Sequence, residues 1–163
     1  MKIEFRPLVA GDADRAVHWR NDPLVWTYTT AVNRKPVAVE TERAWIERVA
    51  TDPTSYRRAI IVEGTYVGNV YLTDIRNGTA QFHIFIGDRQ VWGQGIGRRA
   101  TAAILDLAWH QLSLERVYLL VHHDNAAAMA LYRGLGFALV ASEGNFERME
   151  IAAPYRPGSD PTP

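Results

Sequence analysis

The run Trp92-Gly93-Gln94-Gly95-Ile96-Gly97-Arg98-Arg99 alternates three glycines with larger residues. It follows a strand-like run and precedes a helix-like one. Glycine lets a backbone turn tightly and leaves the nearby N–H groups uncovered by side chains. A helix that starts just after such a loop adds further unpaired N–H groups and the positive end of its dipole. The combination suits an anion, most naturally a phosphate or pyrophosphate. Two common nucleotide patterns do not fit. A Walker loop ends in Gly-Lys-Ser/Thr, whereas Gly97 is followed by Arg98 and Arg99. The dinucleotide fingerprint reads G-x-G-x-x-G. Here Gly93, Gly95 and Gly97 give G-x-G-x-G, and no acidic residue closes a second strand at the expected distance.

This spacing resembles the pyrophosphate loop of the GCN5-related N-acetyltransferases (the GNAT family), which bind acetyl-CoA. Gly95 and Gly97 fill that family's glycine positions, and Trp92 stands where Gln or Arg is usual. The Trp-Gly-x-Gly form is similar to the branch that includes the ribosomal-protein N-terminal acetyltransferases. A second segment, Asn125 to Phe137, resembles the family's Asn-x-x-Ala-x-x-Leu-Tyr-x-x-x-Gly-Phe signature nearly position for position. Its residue types also have physical reasons. Asp124 or Asn125 can cap a helix, the alanines favour one, and Gly136 suits a left-handed C-cap before Phe137 enters the core. Tyr132 lies two turns beyond Asn125, on the same helix face. The resemblance implies a CoA site built from three groups of residues. These are Phe85, Ile86 and Gly87 at a strand end, Val91 with Trp92, Gly93, Gln94, Gly95, Ile96, Gly97, Arg98 and Arg99 in the loop, and Asn125, Ala128 and Tyr132 on the second helix.

Acetyl transfer to an amine needs three things. The amine must lose a proton, the carbonyl oxygen needs a donor, and the leaving thiolate needs a proton or a donor. The resemblance places the Tyr132 hydroxyl near the sulfur, which assigns it the last role. A backbone N–H near Phe85 to Gly87 is expected to serve the oxyanion. On the strand before the loop, Gln81, His83 and Phe85 share one face, toward the acceptor, while Phe82, Ile84 and Ile86 share the other, toward the core. His83 titrates in the useful range and is the candidate base. A hydrogen-bonded structural histidine and a water relay remain open beside it. Gln81 stands where spermidine acetyltransferases have Glu, and Gln cannot take a proton.

The acceptor is expected among Trp19, Arg20, Asn21, Trp26 and Tyr28, with Gln81, His83 and His122. The first five cluster in and beside an irregular link, the usual setting of a binding surface. Trp19 in the core is the competing reading. His122-His123-Asp124 has metal-ligand residue types, but strand alternation should point the two histidines to opposite faces, so no metal is expected. His122 is a second candidate base. The resemblance leaves the acceptor open among small amines, amino sugars and protein N-termini. A longer acyl-CoA as donor and a non-catalytic CoA-binding module are the alternatives.

The chain of 163 residues is 47% hydrophobic and 22% charged, which suits one globular domain. A formal net charge of +0 argues against nucleic-acid binding by bulk electrostatics. Arg57-Arg58 reads as a solvated pair. There is no cysteine, no apolar run long enough to span a membrane and no signal-like start, so a cytoplasmic protein is expected. A homodimer is common in the family, though no residue here points to one. Strands are expected at residues 3–7, 58–62, 66–73, 79–87, 116–121, 137–141 and 146–152. Helices are expected from Gly11 or Asp12 toward Arg20, and at residues 41–49, at 98–112 and after Asn125. Alternating strands and helices imply an α/β fold. The resemblance specifies a mixed, mostly antiparallel sheet of about seven strands, splayed between the fourth and fifth, with helices on both faces. Residues 1–153 read as a single N-acetyltransferase domain and 154–163 as a disordered tail.

Overall fold

The computed structural model describes residues 1–28 and 35–154. Part of the expected irregular link and nearly all of the expected tail lie outside the described residues. The chain order is β1 (Ile3–Arg6), a 3-10 turn (Ala10–Asp12), α1 (Ala13–Arg20), α2 (Val39–Ala50), β2 (Tyr56–Val62), β3 (Thr65–Arg76), β4 (Thr79–Ile86), a second 3-10 turn (Arg89–Val91), α3 (Ile96–His110), β5 (Arg116–His122), α4 (Ala126–Gly134), β6 (Ala138–Glu143) and β7 (Phe146–Ala152). The 3-10 turn before the glycine loop is new to the sequence reading. Asp88 caps it, accepting from the Gln90 N–H at 3.0 Å.

Seven strands form one sheet in the order β1-β2-β3-β4-β5-β7-β6. Every pairing is antiparallel except β4 with β5. That parallel pairing covers only Thr79–Gln81 against Arg116–Tyr118. Beyond it, β4 stays bound to β3 as far as Ile86, opposite Gly68. Likewise β5 stays bound to β7 as far as His122, opposite Phe146. Each strand follows its outer partner, so the sheet opens into a gap between two unpaired edges. Such edges carry free N–H and C=O groups.

Helices cover both faces. The larger core packs α3 on Ile60, Val70, Leu72, Phe82, Leu119 and Met149 through Ile104, Leu105 and Ala108. The smaller packs α1 and α2 on Ala59, Tyr66 and Tyr71 through Ala13, Ala16, Trp19 and Ile46. Near the gap, the Trp19 ring occupies the place where a Cβ on Gly87 would stand, so only glycine lets α1 approach the end of β4. No residue of α4 is fully buried, because one of its faces lines the opening instead of the core. Its C-terminus closes as a Schellman motif. The N–H groups of Gly136 and Phe137 donate to the carbonyls of Arg133 and Tyr132, both at 3.0 Å, with Gly136 left-handed at φ 101°. Among the described residues no helix is long and apolar enough to cross a membrane.

Candidate active site

A cleft of about 1490 Å³ runs from the glycine loop, through the β4–β5 gap, to the open side of α2. At the loop end Gly93 and Gly95 take φ 74° and 75°, a region costly for other residues. Gly95 is the N-cap of α3 and offers no side-chain acceptor. The first backbone bond of the helix runs from the Arg99 N–H to the Gly95 carbonyl at 3.1 Å. The N–H groups of Ile96, Gly97 and Arg98 therefore start the helix without intrahelical partners, at the positive end of its dipole. Facing this loop, the Asn125 side chain caps α4, accepting from the Ala128 N–H at 3.2 Å. Asp124 is not the cap. Asn125, Ala128, Leu131 and Tyr132 all line the cleft.

The end of β4 is fixed by its own indole. Trp92 Nε1 donates to the Ile86 carbonyl at 2.8 Å. The Gly87 N–H is already bonded to the Val67 carbonyl at 2.8 Å, across β3, so it is not free to serve an oxyanion. By strand alternation the N–H groups of Ile84 and Ile86 point the opposite way, toward β5 and into the gap. Of the expected range Phe85 to Gly87, only the Ile86 N–H faces the gap, and the Ile84 N–H, just before that range, faces it too. Phe82 is buried as expected, and Ile84 and Ile86 pack against the same core as expected, though half-buried because they also line the cleft.

Tyr132 stands on α4 opposite this strand end. Its ring is edge-on to Phe82 at 6.3 Å and to Phe137 at 5.6 Å. Burial among these groups pushes its hydroxyl up to about 12. The phenol therefore stays protonated, and can donate, throughout the range in which proteins work.

The acceptor half is aromatic and basic. Arg20, Trp26, Trp45, Arg57, Tyr71, Gln81, His83, Tyr28 and His122 line it, and among the described residues no Asp or Glu lines any part of the cleft. Arg20 stacks over Trp26 at 5.0 Å and pairs with the buried Glu42 at 3.1 Å. Burial, the largest influence, pushes the Glu42 carboxyl up against the pull of Arg20. His83 shares a 2.9 Å hydrogen bond with Thr73 Oγ1. Burial first, and the positive charge of Arg57 second, lower its pKa to about 4. Its ring is therefore neutral at pH 7 and only weakly basic.

Several expected residues stand elsewhere. Trp19 belongs to the core, against Tyr66 and Phe85. Asn21 clamps the backbone of Val37 through both its amide atoms, at 2.8 and 2.9 Å. Arg99 holds the Met1 carbonyl at 2.9 Å, away from the cleft, and the Gln94 side chain donates to the Gln90 carbonyl at 3.1 Å. Arg98 reaches from the cleft to the Gly134 carbonyl at 3.2 Å. Arg57 and Trp45, with Tyr71 and Thr73, are cleft residues the sequence reading did not reach. Arg57 is half-buried, not a solvated partner of Arg58. The expectation that His122 and His123 diverge also fails, because β5 ends at His122 and alternation ends with it. Their rings lie 4.8 Å apart. His122 Nδ1 accepts from the Asp124 N–H at 3.2 Å.

An open-sided α/β sheet with a parallel splay, a glycine loop at a helix start and a capped second helix is the arrangement of an acyltransferase domain. The chain belongs to the acetyltransferase (GNAT) domain family, whose model matches residues 2–138. It is 31% identical over 90 residues to the spermidine N(1)-acetyltransferase of Escherichia coli, covering 54% of this chain and 48% of that one. It is 38% identical over 85 residues to the N-alpha-acetyltransferase RimI of Mycobacterium tuberculosis, covering 50% and 51%. The aligned stretch thus spans about half the length of each of these relatives. The fold is also that of spermidine N-acetyltransferase from Vibrio cholerae, solved with CoA and spermine. The TM-score is 0.81 at 22% identity, over 92% of this chain and 95% of that one.

Proposed function

We propose that the chain is an acetyl-CoA-dependent N-acetyltransferase, with residues 1–153 as its single catalytic domain. One observation carries the reading. The unpaired edges of β4 and β5, the bare start of α3 and the side of α4 that carries Tyr132 all line one continuous cleft. The helix start offers N–H groups to a pyrophosphate, and the strand edges offer N–H and C=O groups to the amides of a pantetheine arm. Acetyl-CoA supplies the activated thioester.

The acceptor enters from the aromatic half, and its nitrogen forms the new N–C bond as the C–S bond breaks. The N–H groups of Ile84 and Ile86 hold the oxygen that gains charge. The Tyr132 hydroxyl donates to the departing sulfur, and the proton lost by the amine restores it. The assignment of His83 follows from its neutral ring. Before attack it accepts a hydrogen bond from the protonated amine and passes that first proton to water, since a group near pKa 4 cannot hold a proton at pH 7. The second proton, released by the nitrogen once the N–C bond has formed, is the one that restores Tyr132. Both reactants share one cleft, which supports direct attack in a ternary complex.

Calorimetric titration with acetyl-CoA, CoA and a longer acyl-CoA tests the donor reading. Micromolar binding of acetyl-CoA supports it, selectivity for the longer chain redirects it, and no binding to folded protein removes it. Tyr132→Phe tests the mechanism. Its kcat should fall about 100-fold, the low end of a general acid's worth, with acetyl-CoA affinity nearly unchanged. An unchanged kcat would remove the assignment.

A further inference from the structure

Arg57, Tyr71 and His83 stand in one row across the sheet. Arg57 pairs with Tyr71 between β2 and β3, and Tyr71 pairs with His83 between β3 and β4. Directly paired residues face the same side, so all three side chains project toward the acceptor half of the cleft, which each of them lines. The guanidinium of Arg57 lies over the Tyr71 ring at 4.8 Å and beside Trp45 at 5.7 Å. Its Nε donates to Ser55 Oγ at 3.1 Å. Among the described residues its two Nη groups have no acceptor, and no carboxylate pairs with it. Arg20, the other cation deep in this half, is already neutralised by Glu42. Arg89 at the rim pairs with Asp22 at 3.4 Å. Asp52 attracts Arg57 through space without forming a direct ion pair with it, so the wall presents one partly desolvated charge with no directly bonded carboxylate and with four N–H groups in a planar fork.

A buried charge without a partner is costly, and a guanidinium fork matches a carboxylate or phosphate in two parallel hydrogen bonds. We infer that the acceptor is an amine that also carries an oxyanion, a carboxylate or a phosphate, and that Arg57 selects it by binding that group. Rows on adjacent strands are about 4.8 Å apart. The anion is therefore held about two strand spacings from the β4 edge where the amine must react. A polyamine is disfavoured at the same wall, since among the described residues no Asp or Glu lines the cleft to receive it. This inference rests on the proposed acetyl transfer and deepens it by naming the class of acceptor.

The test is a set of matched amines assayed for CoA release. An amino acid is set against its amide, an amino-sugar phosphate against the free amino sugar, and spermidine stands alone. The wild-type protein should favour the anionic member of at least one pair by about 10- to 100-fold in kcat/KM, the worth of a charge-assisted hydrogen-bond pair. Which pair responds separates carboxylate from phosphate. Arg57→Gln should abolish that preference while acetyl-CoA binding by calorimetry stays unchanged. If that variant does not fold, Arg57→Lys keeps the charge, loses the fork and should lose most of the preference. Preference for spermidine or for the neutral members overturns the inference, as does a preference that survives in Arg57→Gln. If acetyl-CoA binds but no amine reacts and no anionic amine gives Arg57-dependent heat, the inference falls and the donor reading stands. Failure of acetyl-CoA to bind overturns the donor reading itself.

Discussion

Acid should destabilise this protein through His83, and by a calculable amount. In the unfolded chain the ring takes a proton near its ordinary 6.5. In the folded chain, burial and Arg57 delay that to about 4. The folded pKa is depressed, so the unfolded state binds the extra proton first. Stability is full above pH 6.5 and falls as the pH drops through the interval to about 4. At 1.36 kcal/mol per pH unit, about 2 kcal/mol is lost by pH 5 and about 3 kcal/mol by pH 4. That is a large share of the 5–15 kcal/mol typical of a domain. Other carboxylates titrate in the same range, and Glu150 is held below its ordinary value by Arg116. The comparison is therefore made against His83→Gln, which keeps a polar partner for Thr73 Oγ1 but cannot titrate. Urea unfolding at intervals from pH 7.5 to pH 4 should show the wild-type protein losing about 3 kcal/mol more than the variant. Parallel curves would refute the depressed pKa. The same reasoning predicts that kcat/KM shows no limb near pH 6.5 that belongs to His83. Such a limb, present in the wild-type protein and absent from His83→Gln, would show instead a ring that titrates at its ordinary value.

Three further outcomes follow from the packing. Gly87→Ala would drive a methyl group into the Trp19 ring and should cost about 1–3 kcal/mol, read by thermal unfolding. Arg20→Ala would leave Glu42 buried without its partner, a loss of about 3 kcal/mol near neutral pH. That loss should shrink as the pH falls and Glu42 takes a proton, measured as denaturation midpoint against pH. Gly95→Ala would strain a residue at φ 75° by about 1–2 kcal/mol and add a methyl group to the open mouth of the loop. Calorimetry should show acetyl-CoA affinity falling at least tenfold in that variant, with the fold retained by circular dichroism.

The donor and acceptor ends of this cleft were unequally legible in the sequence, and the reason is geometric. The donor end is made mainly of backbone from two continuous segments. Gly95 as a left-handed N-cap and Asn125 as a side-chain cap are local devices, readable from neighbours in the chain. Register is not local. The splay depends on β3 holding β4 to Ile86 and β7 holding β5 to His122, which no single segment states. The acceptor end is assembled from side chains on α1, α2, β2, β3, β4 and β5. Trp45 alone reads as a helix residue facing the core, and Arg57-Arg58 alone reads as a solvated pair. One signal was available in that pair. Adjacent residues on a strand face opposite sides, so a strand with a helix-covered face must turn one of the two arginines inward. Only the register then shows that the inward one is Arg57, in line with His83. Burial chiefly makes His83 a poor base, and the same juxtaposition adds to it, because the charge that prepares the wall for an anion also repels a proton from the ring beside it. An acceptor carrying an oxyanion would cancel part of that charge on binding. It would thereby raise the basicity of His83 only when an amine is present to be deprotonated, which couples recognition at Arg57 to chemistry at the β4 edge.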